Sequence, residues 1–284
     1  MEKKYLTLDS QVHSYERDHI KRPWIGYLEG PDEVTGDDMI TAMDNVGVDG
    51  AILVSSFNKY GFDPSYAIEV FNKHPTKYRL IKPFDTQSES IRYDVNSWAK
   101  TPGVVGARLF LNGNNSYQPD DLGVNELLSE CGKADLPVNI MASGSLSLFQ
   151  ELAKRHPNTR LVLDHLGMIQ PHIPPVPSNP FQDLDRVLSI AEFDNVAIKI
   201  SGACTLSNQS FPFPDIWKPL EKIFSAYGLD RCLWGTDWTR AVRLLTYKEA
   251  VDAFRLTDQL TKSEKSIIMG KSVMEIYKWN LNSL

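Results

Sequence analysis

Seven polar side chains, each at or near the end of a short apolar run, are the part of this sequence that could do chemistry. Gln11 and His13 close the first run, Arg108 lies late in the fourth, and Asp164 and His165 end the sixth; Lys199 sits inside the seventh, and Asp237 ends the eighth. Side chains two apart on a strand share a face, so Gln11 and His13 point the same way, as do Asp9 and Gln11. An unpaired charge in a buried strand costs several kcal/mol, roughly. Taken singly, each residue has an ordinary structural explanation: a hydrogen-bonded core imidazole, an ion pair inside a barrel for Arg108, a helix N-cap for Asp237 that Thr236 could also supply. Taken together, they read better as one convergent polar pocket. A carboxylate, two imidazoles, an ammonium and a guanidinium at one place are the parts of proton transfer and charge stabilisation.

The elements that must position them follow from hydrophobic patterning. Runs rich in Val, Ile and Leu at residues 5–13, 50–56, 78–84, 104–110, 137–143, 160–165, 196–202 and 232–238 alternate with longer amphipathic segments, the pattern of parallel strands covered by helices. Helices are expected over 37–45, with Met39, Ile40 and Met43 on one face, and over 145–156, with Leu146, Phe149, Leu152 and Ala153. Asp37, Pro64, Ser88 and Ser145 stand where helices should begin. Eight βα units in series, without a glycine-rich phosphate-binding turn after the first strand, favour a distorted (β/α)8 TIM barrel over an open doubly wound sheet. Segments 244–260 and 263–279 follow the eighth strand, the second as an extra C-terminal helix, and residues 1–284 read as one domain. Two long connections, 14–35 and the proline-rich 167–180, fall over the C-terminal face, where barrel active sites form.

Composition narrows the partners. A net charge of -6 without a dense Lys/Arg run argues against nucleic acid. No apolar run reaches the roughly 18 to 20 residues of a membrane span, and the first residues lack a secretory pattern, so a cytoplasmic location and a small-molecule substrate are expected. The sequence does not fix the oligomeric state, and a homo-oligomer is compatible with it. Cys131, Cys204 and Cys232 are too widely spaced for a zinc knuckle or a redox pair and read as buried thiols.

The motifs LDSQVH, LVLDHLG, AIKISG and LWGTDW, with KPFDT and VVGARLFL as secondary ones, resemble in order those of the amidohydrolase 2 family of metal-dependent hydrolases. The resemblance spans nearly the whole chain and is nearest the lactonase branch, which includes 2-pyrone-4,6-dicarboxylate hydrolase-like and fuconolactonase-like enzymes. It implies hydrolysis of a carbon–oxygen bond in a small lactone. Members of that branch carry a His-x-His pair on the first strand; His13 matches the second imidazole and Gln11 replaces the first. A neutral amide is a poor ligand for a transition metal, so a metal-independent site is favoured, with zinc on His13, His165 and Asp237 as the alternative. Thr239 and Arg240 stand where the family has Pro-His, placing a guanidinium beside the site.

The roles implied are Asp237 as base toward water and then proton donor to the leaving oxygen, with His13, His165 and Gln11 donating to the carbonyl. Lys199 either stabilises the oxyanion or pairs with Asp164 or Asp237. Arg108 and Arg240 would hold a substrate carboxylate, because a guanidinium fork matches it bidentately, and Trp24, Tyr27 and Trp238 would wall the pocket. His19 and His172 are expected at the surface, and His74 and His156 at helix ends. The alternatives are a non-oxidative decarboxylase of the same family, a metal-dependent C–N hydrolase, or a degenerate barrel kept for binding.

Overall fold

The computed structural model describes residues 5–27, 30–111 and 117–280. Eight parallel strands follow one another in chain order around a nearly closed barrel with helices between them. They are β1 Leu8–Val12, β2 Gly50–Val54, β3 Tyr78–Pro83, β4 Val104–Phe110, β5 Val138–Met141, β6 Leu161–Leu163, β7 Val196–Lys199 and β8 Cys232–Leu233. All eight expected runs contain a strand, and most strands are shorter than the runs. β6 stops early because His165 (φ 54°) and Leu166 (φ 59°) take the left-handed conformation, which breaks a ladder; Asp237 (φ 50°) takes it four residues after the end of β8. Asp164, His165 and Asp237 therefore sit on turns just past their strands.

Period-two alternation sorts the strand side chains into two cores. One cluster fills the space between strands and helices. The other lies inside the barrel, where Leu8, Ile52, Val54, Ile81, Val105, Val162, Ala197 and Leu233 meet Val273, Tyr277 and Trp279 from the C-terminal segment. That segment plugs the N-terminal mouth, and the Tyr277 hydroxyl donates to Asn139 Oδ1 of β5 at 2.8 Å. Two steps further along the interior face the apolar lining gives way to Asp164 and Lys199.

The expected helix 263–279 is broken into Lys262–Ser266, a π turn Ile267–Lys271 and Ser272–Ile276. The turn frees Ile268 O to accept from Trp234 N at 2.9 Å, so β8 is continued by a helix carbonyl instead of a strand. The segment 244–260 is helical only over Tyr247–Arg255, because Thr246 and Glu249 form a capping box. The cap expected at Asp37 is Thr35, boxed with Asp38, and that expected at Ser88 is Ser90. No helix among the described residues is long and apolar enough to cross a membrane.

Each strand from β1 to β8 has a ladder to the next, but no ladder joins β8 back to β1 among the described residues. That seam is held by isolated bonds: Ser10 N to Trp234 O at 3.1 Å and Asp237 N to Gln11 O at 2.9 Å. Close approach there requires glycine. A Cβ on Gly235 would lie 2.6 Å from Ser10 Oγ and 3.2 Å from both Asp9 Oδ1 and Gln11 N. The variant Gly235→Ala should lose about 1–3 kcal/mol through overpacking, measured as a lowered midpoint in thermal unfolding; an unchanged midpoint would mean the seam has room to spare.

Candidate active site

At the C-terminal ends of the strands the interior side chains form two polar tiers. In the lower tier Asp164 Oδ2 accepts from Arg108 Nε at 2.8 Å, and Asp164 Oδ1 lies 3.5 Å from Lys199 Nζ. Lys199 is wholly buried and donates to Gln11 Oε1 at 2.7 Å. Burial pushes the Lys199 ammonium down to about 8, partly offset by Asp164. Burial alone would raise the Asp164 carboxyl, but Arg108, Lys199 and His165 outweigh it and hold it below its ordinary value.

The upper tier is built on His13, His165 and Asp237. Lys199 can only donate, so Gln11 must present Oε1 to it and turn its amide Nε2 toward His13 Nε2, 3.1 Å away. His13 then carries its proton on Nδ1 and donates it to Val54 O at 2.7 Å. The same logic fixes the second imidazole. Arg108 Nη2 donates to His165 Nε2 at 3.1 Å, which places the His165 proton on Nδ1, facing Ser201 Oγ at 3.0 Å and Asp237 Oδ2 at 3.5 Å. Burial drives His165 down to about 3 against the pull of Asp237 and Asp164, so it is a neutral imidazole at ordinary pH.

Asp237 lies between the two rings and is buried. Arg240 Nε donates to its Oδ2. Its Oδ1 has no hydrogen-bond partner among the described residues and lies 3.4 Å from His13 Nε2. Burial would raise this carboxyl, yet the Arg240 guanidinium beside it holds it well below the usual carboxylate range. The result is an ionised acceptor facing the acceptor nitrogen of an imidazole.

Arg240 also donates to Gln170 Oε1 and, at 3.1 Å, to Pro171 O on the proline-rich connection. Gln170 in turn donates to Ser201 O at 2.9 Å, which ties this connection to the end of β7. The aromatic residues act mainly on their own loops. Trp24 lies over the buried Lys59 ammonium at 3.3 Å from the ring centroid and stacks edge-on against Tyr15, while Trp238 packs on Tyr247. Tyr27 flanks the same ammonium at 5.6 Å. His19 and His172 are exposed, and His74 and His156 cap helix ends.

The structure thus brings Gln11, His13, Arg108, His165, Lys199, Asp237 and Arg240 into one connected network. Sequence reading missed Ser201 and Gln170. Ser201 carried a usable signal, standing two residues past Lys199 on the same face. Gln170 carried none, because its contact depends on how a long connection folds back.

The fit of a metal can be judged from the donors. His13 Nε2 and Asp237 Oδ1 could share a cation, but Gln11 is engaged by Lys199 and His13, and His165 Nε2 faces the Arg108 guanidinium. Asp237 Oδ2 is taken by Arg240. No group of three His, Cys, Asp or Glu side chains among the described residues converges as metal ligands do. This donor set does not fit zinc held by His13, His165 and Asp237 together.

Comparison with known proteins agrees with the architecture. The family model described as Amidohydrolase matches residues 83–278. The chain belongs to the amidohydrolase family and is an enzyme of hydrolase type. It is 27% identical over 221 residues to a 4-sulfomuconolactone hydrolase of Rhizobium radiobacter, covering 77% of this chain and 69% of that protein. In fold it is similar to a probable 2-pyrone-4,6-dicarboxylic acid hydrolase of Acinetobacter baumannii with citric acid bound (TM-score 0.76, 21% identity, 96% and 99% of the two chains). It is similar also to an amidohydrolase of Burkholderia multivorans with bound zinc (TM-score 0.78, 20% identity, 97% and 100%).

The protonation states lead to a pH dependence of stability. The folded value for His165, about 3, lies below its ordinary 6.5, so the unfolded chain binds the extra proton and stability falls as pH drops from about 6.5 toward 3. Asp9, raised by burial to about 6 from 3.8, works in the opposite direction between those values but is displaced less. The melting temperature should therefore decrease from pH 6.5 to 4, and a His165→Asn variant should show a much flatter dependence. Parallel curves for the two proteins would show that His165 is not the group responsible.

Proposed function

We propose that this enzyme hydrolyses the ring ester of a small, acid-bearing lactone, with Asp237 as the base that activates water. The observation that carries the reading is the pair formed by Asp237 Oδ1 and His13 Nε2, two acceptors 3.4 Å apart at the barrel mouth. Two lone pairs at that separation call for a group with hydrogens to give, and a water molecule supplies them. As the water oxygen bonds to the lactone carbonyl carbon, its proton moves to Asp237, and the same proton passes to the ring oxygen when the C–O bond breaks. A carboxylate held so low is a weak resting base, so the proton transfers as the new C–O bond makes the water acidic.

The charge balance of the network supports an anionic substrate. Arg108, Lys199 and Arg240 face only Asp164 and Asp237 among the buried carboxylates of the two tiers. The positive excess favours an acid group on the substrate and the negative charge that builds on the carbonyl oxygen. In this reading Lys199 acts through Gln11, and Gln11 and Arg108 each hold an imidazole in one tautomer. Arg240 and Arg108 remain the candidates to meet the substrate's acid group. The names of the relatives support the class, since a sulfomuconolactone and a pyrone dicarboxylic acid are both acid-bearing cyclic esters.

The reading is metal-independent, on the ground that the donor set is already engaged by cations and amides. Two measurements test it. Asp237→Asn, assayed on acid-bearing lactones, should lower kcat by about a thousandfold or more while circular dichroism shows the barrel still folded at the assay temperature; wild-type turnover in this variant would refute the role. Dialysis against a strong chelator should leave most of the activity. Loss that is restored by added zinc would refute the metal-independent site, and release of carbon dioxide without ring opening would favour a decarboxylase.

A further inference from the structure

The two halves of the acceptor pair lie on opposite sides of the seam. Gln11 and His13 belong to β1 and the residue following it, Asp237 to the turn after β8, and no strand ladder joins β1 to β8 among the described residues. Elsewhere around the barrel, a ladder fixes how far apart neighbouring strand ends stand. Here something else must.

Asp9 is placed to do it. Its carboxylate is fully buried and accepts four hydrogen bonds from both sides of the gap. From β1 it takes Gln11 N at 3.0 Å; from the β8 turn it takes Thr236 N at 2.9 Å and Thr236 Oγ1 at 2.6 Å. The fourth donor, Tyr247 OH at 3.2 Å, comes from the helix Tyr247–Arg255. Every donor is neutral, and no cation pairs with Asp9 among the described residues. A buried carboxylate without a counter-ion is expensive and survives only where its hydrogen bonds are complete. These bonds also end one residue short of Asp237, whose own N–H reaches Gln11 O at 2.9 Å.

We propose that Asp9 is a positioning residue, its carboxylate stapling β1 to the β8 turn so that His13 Nε2 and Asp237 Oδ1 hold the separation the reaction needs. Asp9 touches neither group directly; it acts through the backbone at Gln11 and Thr236. The consequence for catalysis rests on the function proposed above, whereas the staple itself does not. A displacement of the order of 1 Å between reacting groups costs about a hundredfold in rate, so the staple should be visible in kcat.

The test is a double-mutant cycle on acid-bearing lactone hydrolysis, with the His13 ring as a second readout. Asp9→Asn should lower kcat by about 10- to 100-fold with KM within about threefold, and Thr236→Val, which removes one hydroxyl donor, should lower kcat by about 5- to 20-fold. The double variant should be scarcely worse than Asp9→Asn, since both break the same bridge. Tyr247→Phe removes a donor that comes from the helix Tyr247–Arg255 and not from the turn carrying Asp237, and should leave kcat within about twofold. In nitrogen NMR of the imidazole, the His13 Nε2 resonance should shift in Asp9→Asn and in Thr236→Val but not in Tyr247→Phe. Multiplicative effects in the cycle, wild-type kcat in Thr236→Val, or equal losses in Thr236→Val and Tyr247→Phe would overturn the staple. Should the wild type open no lactone, or Asp237→Asn remain fully active, the proposed function falls, and an unmoved His13 resonance in Thr236→Val alone then overturns the staple.

Discussion

Charge buried inside the barrel must be neutralised by other buried groups, and that constraint organises the interior of this protein. Lys199, Asp164 and Arg108 occupy a level where the lining would otherwise be Val, Leu and Ile, and all three are buried. Removing one partner would leave another uncompensated, a loss of roughly 3–5 kcal/mol in buried pairs. Each side chain is therefore held to one rotamer and one set of contacts. Because Lys and Arg only donate, their orientation propagates upward: Lys199 orients Gln11, Gln11 orients His13, and Arg108 orients His165. The tautomers of both imidazoles are set from beneath.

The same constraint bears on how a cation would fare here. Where a histidine pair on the first strand would offer two imidazole nitrogens, this chain offers one, and the amide in the other place is bonded to an ammonium. A divalent cation brought into that level would stand among three fixed positive charges, whereas an anionic substrate would be drawn in by them. The amide at Gln11 and the surplus of cations belong to one electrostatic arrangement. The proline-rich connection belongs to it as well, since Gln170 and Pro171 hold the guanidinium that grips Asp237.

Much of the architecture was legible in the chain. The eight strands lie within the apolar runs because alternation and β-branched composition are local properties. Period two alone put Gln11 with His13 and pointed Lys199 inward. Errors came where tertiary contacts override local preference. The final helix is broken because Trp234 of the β8 end needs an acceptor and finds it in Ile268 O. β6 ends early because His165 and Leu166 enter the left-handed region, an adjustment that composition does not announce. Asp9 looked like one more residue on a shared face, and its importance appears only when Thr236 arrives from the far end of the chain.

The class of fold and the family can be read from the chain alone, since both follow from residue type and short-range spacing. Only the tertiary structure decided which cation meets which carboxylate, which nitrogen of each histidine carries the proton, and where the barrel lacks a ladder. The reason is range. Lys199 and Gln11 are 188 residues apart, and Asp9 and Thr236 are 227 apart. A hydrogen bond depends on tenths of an ångström between groups that nothing in the linear chain places near each other.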